Sequence, residues 1–287
     1  MTAVEILTPG PFATVQDLGR PGYAYLGVPR SGAADRGALR LANRLVGNAE
    51  GAACIETTLG GLRLRAVGDV VAAVSGAMAD VARNGVAYGR NASMPLTDGD
   101  ELSIGTTTSG LRNYVAIRGG IDIEPTLGSR STDTLATLGP ATLTAGAHLP
   151  IGPHDNSWPA IGAAPVDDRL PDVVVLDATD GPRADRVDNL ADLFTATWVV
   201  NAASNRVGVR LDCRDGAAVR HRSGLSELSS EGIAHGSIQL PPSGQPVIFL
   251  ADHPVTGGYP VVAVLSARSL DRAGQLAPGN VVRLRRG

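Results

Sequence analysis

Four polar stretches carry the residue types that chemistry on a small amide or carboxylate needs. Thr14-Val15-Gln16-Asp17-Leu18-Gly19-Arg20-Pro21-Gly22 sets an amide, a carboxylate and a guanidinium among glycines, with little apolar content. Loops of this kind carry function more often than packing; an Asp17–Arg20 brace that only holds a turn is the competing reading. In Ser204-Asn205-Arg206-Val207-Gly208-Val209-Arg210-Leu211 the two arginines lie four residues apart. In an extended chain they point to one face and can clamp a carboxylate or phosphate; a surface ion-pair stripe is the alternative. Ser229–Pro260 places Glu231, Gln239, Asp252, Thr256 and Tyr259 at the ends of apolar runs, and its Gly257-Gly258 pair lets backbone approach a ligand or partner closely. Finally, Gly128-Ser129-Arg130-Ser131 strings small residues around an arginine, the makings of an anion-binding nest of backbone N–H groups or of a solvated loop.

What is missing narrows the chemistry. All 25 basic residues are arginine, with no lysine anywhere. That excludes a P-loop lysine, a Schiff base, a Ser-Lys amidase dyad and a biotinyl-lysine carrier. Any anion must be held by arginine forks, backbone N–H groups or a metal. No G-x-S-x-G elbow and no G-x-G-x-x-G after a strand is present. The histidines at 148, 154, 221, 235 and 253 lack metal-ligand spacing, so no metal is expected. His154-Asp155 and Asp252-His253 are neighbours whose side chains point apart in a strand, and they are not read as dyads.

The elements that must position these groups are short. Apolar runs break every 8 to 12 residues or so, and 36 glycines with 19 prolines punctuate them, the pattern of a mainly β protein with many turns. Strands are expected at 4–7, 55–57, 62–66, 70–74, 81–84, 102–104, 114–117, 172–176, 198–201, 261–265 and 281–284. Leu39, Ala42, Leu45 and Val46 recur at helical spacing before Gly47, which predicts a helix near 35–46 with a glycine just past its end. Further helices are expected over 185–194 and around 269–276. The outline L-x-x-G-x-x-[LV]-x-[IL] appears at Leu96, Leu143 and Leu276, each reading as a strand entered from a tight turn; chance recurrence of a common turn competes with a repeat of related β units.

At 287 residues the chain exceeds the usual single domain, and the Pro- and Asp-rich run at 152–172 is the best linker. Domains at 1–165 and 166–287 are therefore expected. A net charge of −3 without charge blocks speaks against nucleic acid. No apolar run approaches a membrane span, and MTAVEILTPGPF lacks a secretory pattern. A cytoplasmic protein is expected, with Cys54 and Cys213 as buried free thiols.

Taken together, the motifs resemble one family. Thr14–Arg20, Gly32-Ala33-Ala34-Asp35 and Ala42-Asn43-x-Leu45-Val46-Gly47-Asn48 match its N-terminal signature, and Leu127–Thr132 its middle. Ser204–Leu211, Ser230-Glu231-Gly232, Gly236–Pro241 and Thr256–Pro260 match its C-terminal half. The chain is similar to the family of allophanate hydrolase subunit 2 and the C subunit of 5-oxoprolinase, of the biotin-dependent carboxyltransferase-like group. The resemblance implies a mainly β protein with a few short helices and cyclophilin-like β-barrel architecture, in two associated barrel units. It departs at Leu138-Gly139-Pro140-Ala141-Thr142, where the family carries a Gly-Gly…Gly-Arg stretch.

The family implies one component of an ATP-dependent 5-oxoprolinase, opening 5-oxoproline to glutamate with a partner B subunit and a third subunit. ATP is the expected cofactor, bound by or shared with a partner, and this chain carries no covalent biotin. On that reading Gln16, Asp17, Arg20, Arg206 and Arg210 are the catalytic set. Ser204, Asn205, Glu231, Gln239, Thr256, Gly257, Gly258 and Tyr259 bind the amide or lactam, and Gly128–Ser131 form an anion nest. Two alternatives stand beside it: a urea or amide carboxyltransferase fed by a separate biotin carrier, and a non-catalytic partner-binding regulator.

Overall fold

The computed structural model describes residues 2–154, 158–216 and 219–287. The chain divides into two compact units: Met1–Arg20, Ser31–Asp133 and Thr137–Arg169 form the first, while Pro21–Arg30, Thr134–Ala136 and Leu170–Gly287 form the second. A linear reading draws one boundary near 165; here the chain crosses between units at several points.

The first unit carries β1 (Ala3–Pro9), β2 (Phe12–Gln16), β3 (Cys54–Thr58), β4 (Leu62–Val67), β5 (Val70–Met78), β6 (Val81–Arg83), β7 (Val86–Tyr88), β8 (Ser93–Leu96), β9 (Glu101–Ile104), β10 (Ser109–Ile117) and β11 (His148–Pro150). They form two open sheets, ordered β11-β1-β4-β9-β6-β7 and β2-β3-β10-β5-β8. This unit is therefore a pair of sheets over a shared core rather than a second closed barrel. Alternation explains the arrangement: Leu62, Leu64 and Ala66 of β4 are buried while Arg63 and Arg65 face out toward Glu5 and Glu101. Along β10 both faces are covered. Val115 and Ile117 join the inter-sheet core, and Tyr114 and Ala116 pack with Leu39, Ala42 and Leu45 of α1 (Arg36–Leu45). Asp35 caps that helix by accepting from the Ala38 N–H at 2.9 Å, and Gly47 follows it at φ +73°.

The second unit carries β12 (Val173–Asp180), α2 (Ala191–Thr195), β13 (Thr197–Val200), β14 (Gly208–Asp215), β15 (Glu231–Gly232), β16 (Ser237–Gln239), β17 (Val247–Phe249), β18 (Thr256–Gly257), β19 (Val261–Leu265), α3 (Ala267–Ala273) and β20 (Val281–Arg286). Seven of them close a barrel in the order β12-β19-β16-β17-β14-β13-β20, sealed by the parallel β12–β20 pair. Its core includes Leu176, Trp198, Leu211, Ile238, Ile248, Val262 and Leu284. The Trp198 indole donates to the Leu193 carbonyl at 3.0 Å, so its polar atom is satisfied inside.

The helix expected over 185–194 is not continuous. Val187 is extended (φ −114°, ψ 151°) and bridges His221, leaving a 3-10 turn at Ala184–Arg186 and α2 after it. Cys54 is buried as expected, but Cys213 is exposed, because the apolar alternation of β14 ends at Leu211. The three L-x-x-G turns share one geometry: Gly99, Gly146 and Gly279 have φ +85°, +82° and +86° and lead into β9, β11 and β20. Among the described residues no helix is long and apolar enough to cross a membrane.

Candidate functional site

In the first unit the 128–131 run, expected as a nest of backbone N–H groups, meets the protein's own Asp17 carboxylate through one backbone N–H and two hydroxyls. The Asp17 carboxylate accepts from the Gly19 N–H at 2.7 Å, Ser129 Oγ at 2.7 Å, Ser131 Oγ at 2.5 Å and the Arg130 N–H at 2.6 Å. The Asp17 N–H donates back to Ser131 Oγ at 2.9 Å. Gly128 lies in the tight 126–129 turn at φ +78° that presents these donors. The Arg130 guanidinium turns outward to Asp122 and the Ile123 carbonyl. Arg20 is fully buried: Nη2 donates to the Ser131 carbonyl at 2.5 Å, and Nη1 lies 4.0 Å from Asp133. Gln16 ends β2 with its Nε2 on Thr14 Oγ1 and the Thr132 carbonyl, while its buried Oε1 accepts no hydrogen bond from the described residues. Gln16, Asp17, Arg20 and Gly128–Ser131 are thus neighbours in one assembly, in which the Gly19 and Arg130 N–H groups and the Ser129 and Ser131 hydroxyls converge on the Asp17 carboxylate.

In the second unit Arg206 and Arg210 separate. The strand begins only at Gly208, so the alternation that would align them does not extend to Arg206. Arg206 is buried and forks onto Asp252, Nε to Oδ2 and Nη2 to Oδ1, each at 2.9 Å. Arg210 is exposed on β14, its N–H donating to Ser204 Oγ, while Asn205 Oδ1 accepts from the Val207 and Gly208 N–H groups. A two-arginine clamp is not what this segment builds. Thr134 donates to Asp252 from both N–H and Oγ1, at 3.0 and 2.7 Å. Burial pushes the Asp252 carboxyl up, but the Arg206 charge and the hydrogen bonds from Arg206 and Thr134 outweigh it and hold it below its ordinary value. Beside Asp252 in sequence, His253 stacks on His235 with ring centres 5.8 Å apart and approaches Phe249 at 6.1 Å. Of the other neighbouring pair, His154-Asp155, the aspartate lies outside the described residues.

The remaining predicted residues gather where β15 pairs with β18, Glu231 opposite Gly257. Arg183 grips Glu231 through Nε, 3.1 and 3.0 Å from the two carboxylate oxygens, and also through Nη2. Hydrogen bonding from Arg183 lowers the Glu231 carboxyl against partial desolvation, and the charges of Arg183 and Arg186 add to it. Gln239, buried on β16, donates from Nε2 to the Tyr259 carbonyl at 2.9 Å. A Cβ on Gly257 would lie 2.6 Å from Ile233 Cδ1 and 2.9 Å from Gln239 Nε2, so a larger residue there would displace the tips of both side chains. Thr256 is exposed. Gly258 and the half-exposed Tyr259 form one wall of a cavity of about 220 Å³ whose other walls include Arg186, His221 and Arg222. Sequence reasoning missed Arg183, Arg186, His221, Arg222 and Thr134. The alternation Arg220-His221-Arg222 was the available signal for two of them. Among the described residues no group of three or more His, Cys, Asp or Glu could hold a metal ion.

Two open sheets in one unit and a closed seven-stranded barrel in the other define a mainly β protein whose polar loops are bounded by glycines. The chain belongs to the carboxyltransferase domain family, subdomain A and B, whose model matches residues 26–286. It is 32% identical to the C subunit of 5-oxoprolinase from Escherichia coli, over 97% of this chain and 89% of that protein. It is 34% identical to the urea amidolyase of Lachancea kluyveri, over 98% of this chain but only 17% of that protein. The crystal structure of the K. lactis urea amidolyase superposes with a TM-score of 0.90 at 34% identity, covering 98% of this chain and 18% of that one.

Proposed function

We propose that this chain is the C subunit of an ATP-dependent 5-oxoprolinase, acting with a B subunit and a third subunit on the cyclic amide bond of 5-oxoproline. The observation that supports the reading is the likeness, over 97% and 98% of this chain at 32% identity each, to the 5-oxoprolinase C subunits of Escherichia coli and Haemophilus influenzae. In the reaction, water adds its oxygen to the lactam carbonyl carbon, the C–N bond breaks and the nitrogen takes a proton, giving glutamate. ATP supplies the driving force.

Among the described residues the donors around Asp17 are not open to a phosphate. No lysine is present, and the backbone N–H and hydroxyl groups best disposed for a phosphate are satisfied by Asp17. ATP is therefore assigned to a partner subunit. The chain's share is to hold and orient the lactam: Gln239, Gly257, Gly258 and Tyr259 form the binding corner, with Thr256 at its rim. Glu231 with Arg183 and Arg206 with Asp252 brace the loops around it, and Ser204 and Asn205 set the turn that leads into Arg210. Gln16, Asp17 and Arg20 act as positioning residues. The reading carries with it a cytoplasmic location.

The family description and the urea amidolyase likeness favour a second reading, carboxyl transfer to urea or another amide from a biotin carrier on a separate chain. One experiment separates the two. The chain is co-expressed with its candidate partners and supplied in parallel with 5-oxoproline plus ATP, and with urea, labelled bicarbonate and a biotinylated carrier. Glutamate release in the first mixture supports the proposal. Biotin-dependent label incorporation without glutamate release replaces it with the second reading.

A further inference from the structure

The cavity beside Tyr259 is walled by two like charges that the backbone places opposite each other. Val187 bridges His221, the Arg222 N–H donates to the Arg186 carbonyl at 2.8 Å, and the Asp188 N–H donates to the Arg220 carbonyl at 3.0 Å. This antiparallel register sets Arg186 against Arg222 and Asp188 against Arg220. Opposite charges directly across a pair stabilise it, and like charges destabilise it. The Asp188–Arg220 pair is balanced; the Arg186–Arg222 pair is not, and both of its members line the cavity.

Neither guanidinium is consumed by its surroundings. Arg186 donates from Nη1 to the Ser226 carbonyl at 2.7 Å, and Arg222 from Nη2 to the Val187 carbonyl at 3.4 Å. A guanidinium has five N–H donors, so each retains donors beyond its single carbonyl. The neighbouring Glu231 is already gripped by Arg183. Among the described residues Glu227 is the one carboxylate on the cavity wall, set against two guanidiniums, while the Arg186 charge also acts on Glu231 just outside it. The wall also offers the Tyr259 ring and an apolar face from Leu225 and Leu228, while His221 is tied at Nε2 to the Leu240 carbonyl at 2.8 Å.

We infer that this cavity binds a small monocarboxylate, its carboxylate between Arg186 and Arg222 and its apolar or planar part against Tyr259. Size and charge select that class. About 220 Å³ is smaller than the roughly 300–1,000 Å³ of drug-sized sites, so a molecule of a few heavy atoms fits and a nucleotide does not. A net excess of one positive charge matches a monoanion better than a polyphosphate. The inference rests on the proposed function only for the identity of the ligand, 5-oxoproline, whose carboxylate and flat lactam answer these two walls.

The test is calorimetric titration of the full chain with 5-oxoproline, with 2-pyrrolidinone (the same lactam without its carboxylate) and with inorganic phosphate. Arg222→Gln, Arg222→Lys and Arg220→Gln variants are titrated alongside. Arg222 is exposed and makes one long side-chain hydrogen bond, so its replacement leaves the fold intact. The inference predicts saturable binding of 5-oxoproline, weakened at least about tenfold by Arg222→Gln. Arg222→Lys should recover part of it, Arg220→Gln should leave it within about twofold, and 2-pyrrolidinone should not bind. Equal binding by 2-pyrrolidinone, tighter binding by phosphate, no saturable binding, or indifference to Arg222→Gln would each overturn it. The two readings fail separately. If the assembled subunits release glutamate with a KM unmoved by Arg222→Gln, the site is wrong and the function stands. If they release none while Arg222-dependent carboxylate binding persists, the function is wrong and the site stands.

Discussion

Arg206 and Asp252 form an ion pair buried at both ends, with side-chain exposures of 3% and 0%, and that burial decides what each residue does. A guanidinium forked on a carboxylate and shielded from water acts as a brace. Removing it leaves a buried carboxylate that has lost its forked guanidinium, with Thr134 still donating to it. Arg206→Leu is therefore expected to lose about 3–5 kcal/mol of unfolding free energy, read from urea curves. The pH dependence follows from the sign of the shift. In the parent the Asp252 carboxyl is lowered, so its contribution is present above the unfolded value near ~3.9 and is lost as pH falls below it. In the variant burial dominates and raises the carboxyl, so stability falls as pH rises through that range. The gap between the two proteins should widen from pH 3 to pH 7; a gap that stays constant would show that Asp252 is not the partner that matters. The two thiols differ equally clearly. Burial drives the Cys54 thiol far above its ordinary pKa, whereas Cys213 is exposed. A thiol reagent should label one site per native chain and two after denaturation, with mass mapping placing the first at Cys213.

At the scale of elements, the loop after β2 is held by long-range bonds rather than by its own sequence. Asp17 reaches Ser129, Arg130 and Ser131 across separations of 112 to 114 residues. Asp17→Ala removes an acceptor from four donors at once, and a net loss of about 3 kcal/mol is expected, read as a lower urea midpoint at unchanged slope. An unchanged midpoint would mean that water replaces the carboxylate without cost. This locking explains why the region was half legible in the sequence. The glycines and small residues of Thr14–Gly22 and Gly128–Ser131 marked both halves as special. Nothing local could show that one half supplies the anion for the other. Helix α1 was readable because its apolar spacing and the Gly47 that follows it are local signals. The L-x-x-G turns were readable because one positive-φ glycine followed by alternation is sufficient. The Arg206–Arg210 clamp was misread because alternation was extended to a residue that precedes the strand. Arg186 and Arg222 escaped notice because their pairing depends on a single bridge between Val187 and His221.

For the whole molecule, each unit has its own apolar core, and the polar residues at the ends of the strands carry the functional argument. The family is shown by a match over residues 26–286 and by relatives that cover nearly all of this chain. The most direct measurement is glutamate formation from 5-oxoproline by the purified chain mixed with the B subunit and the third subunit, with each component omitted in turn. The account predicts glutamate release that requires ATP and falls to background when this chain is left out. Release at the same rate without this chain, or no release from the complete mixture, would contradict it.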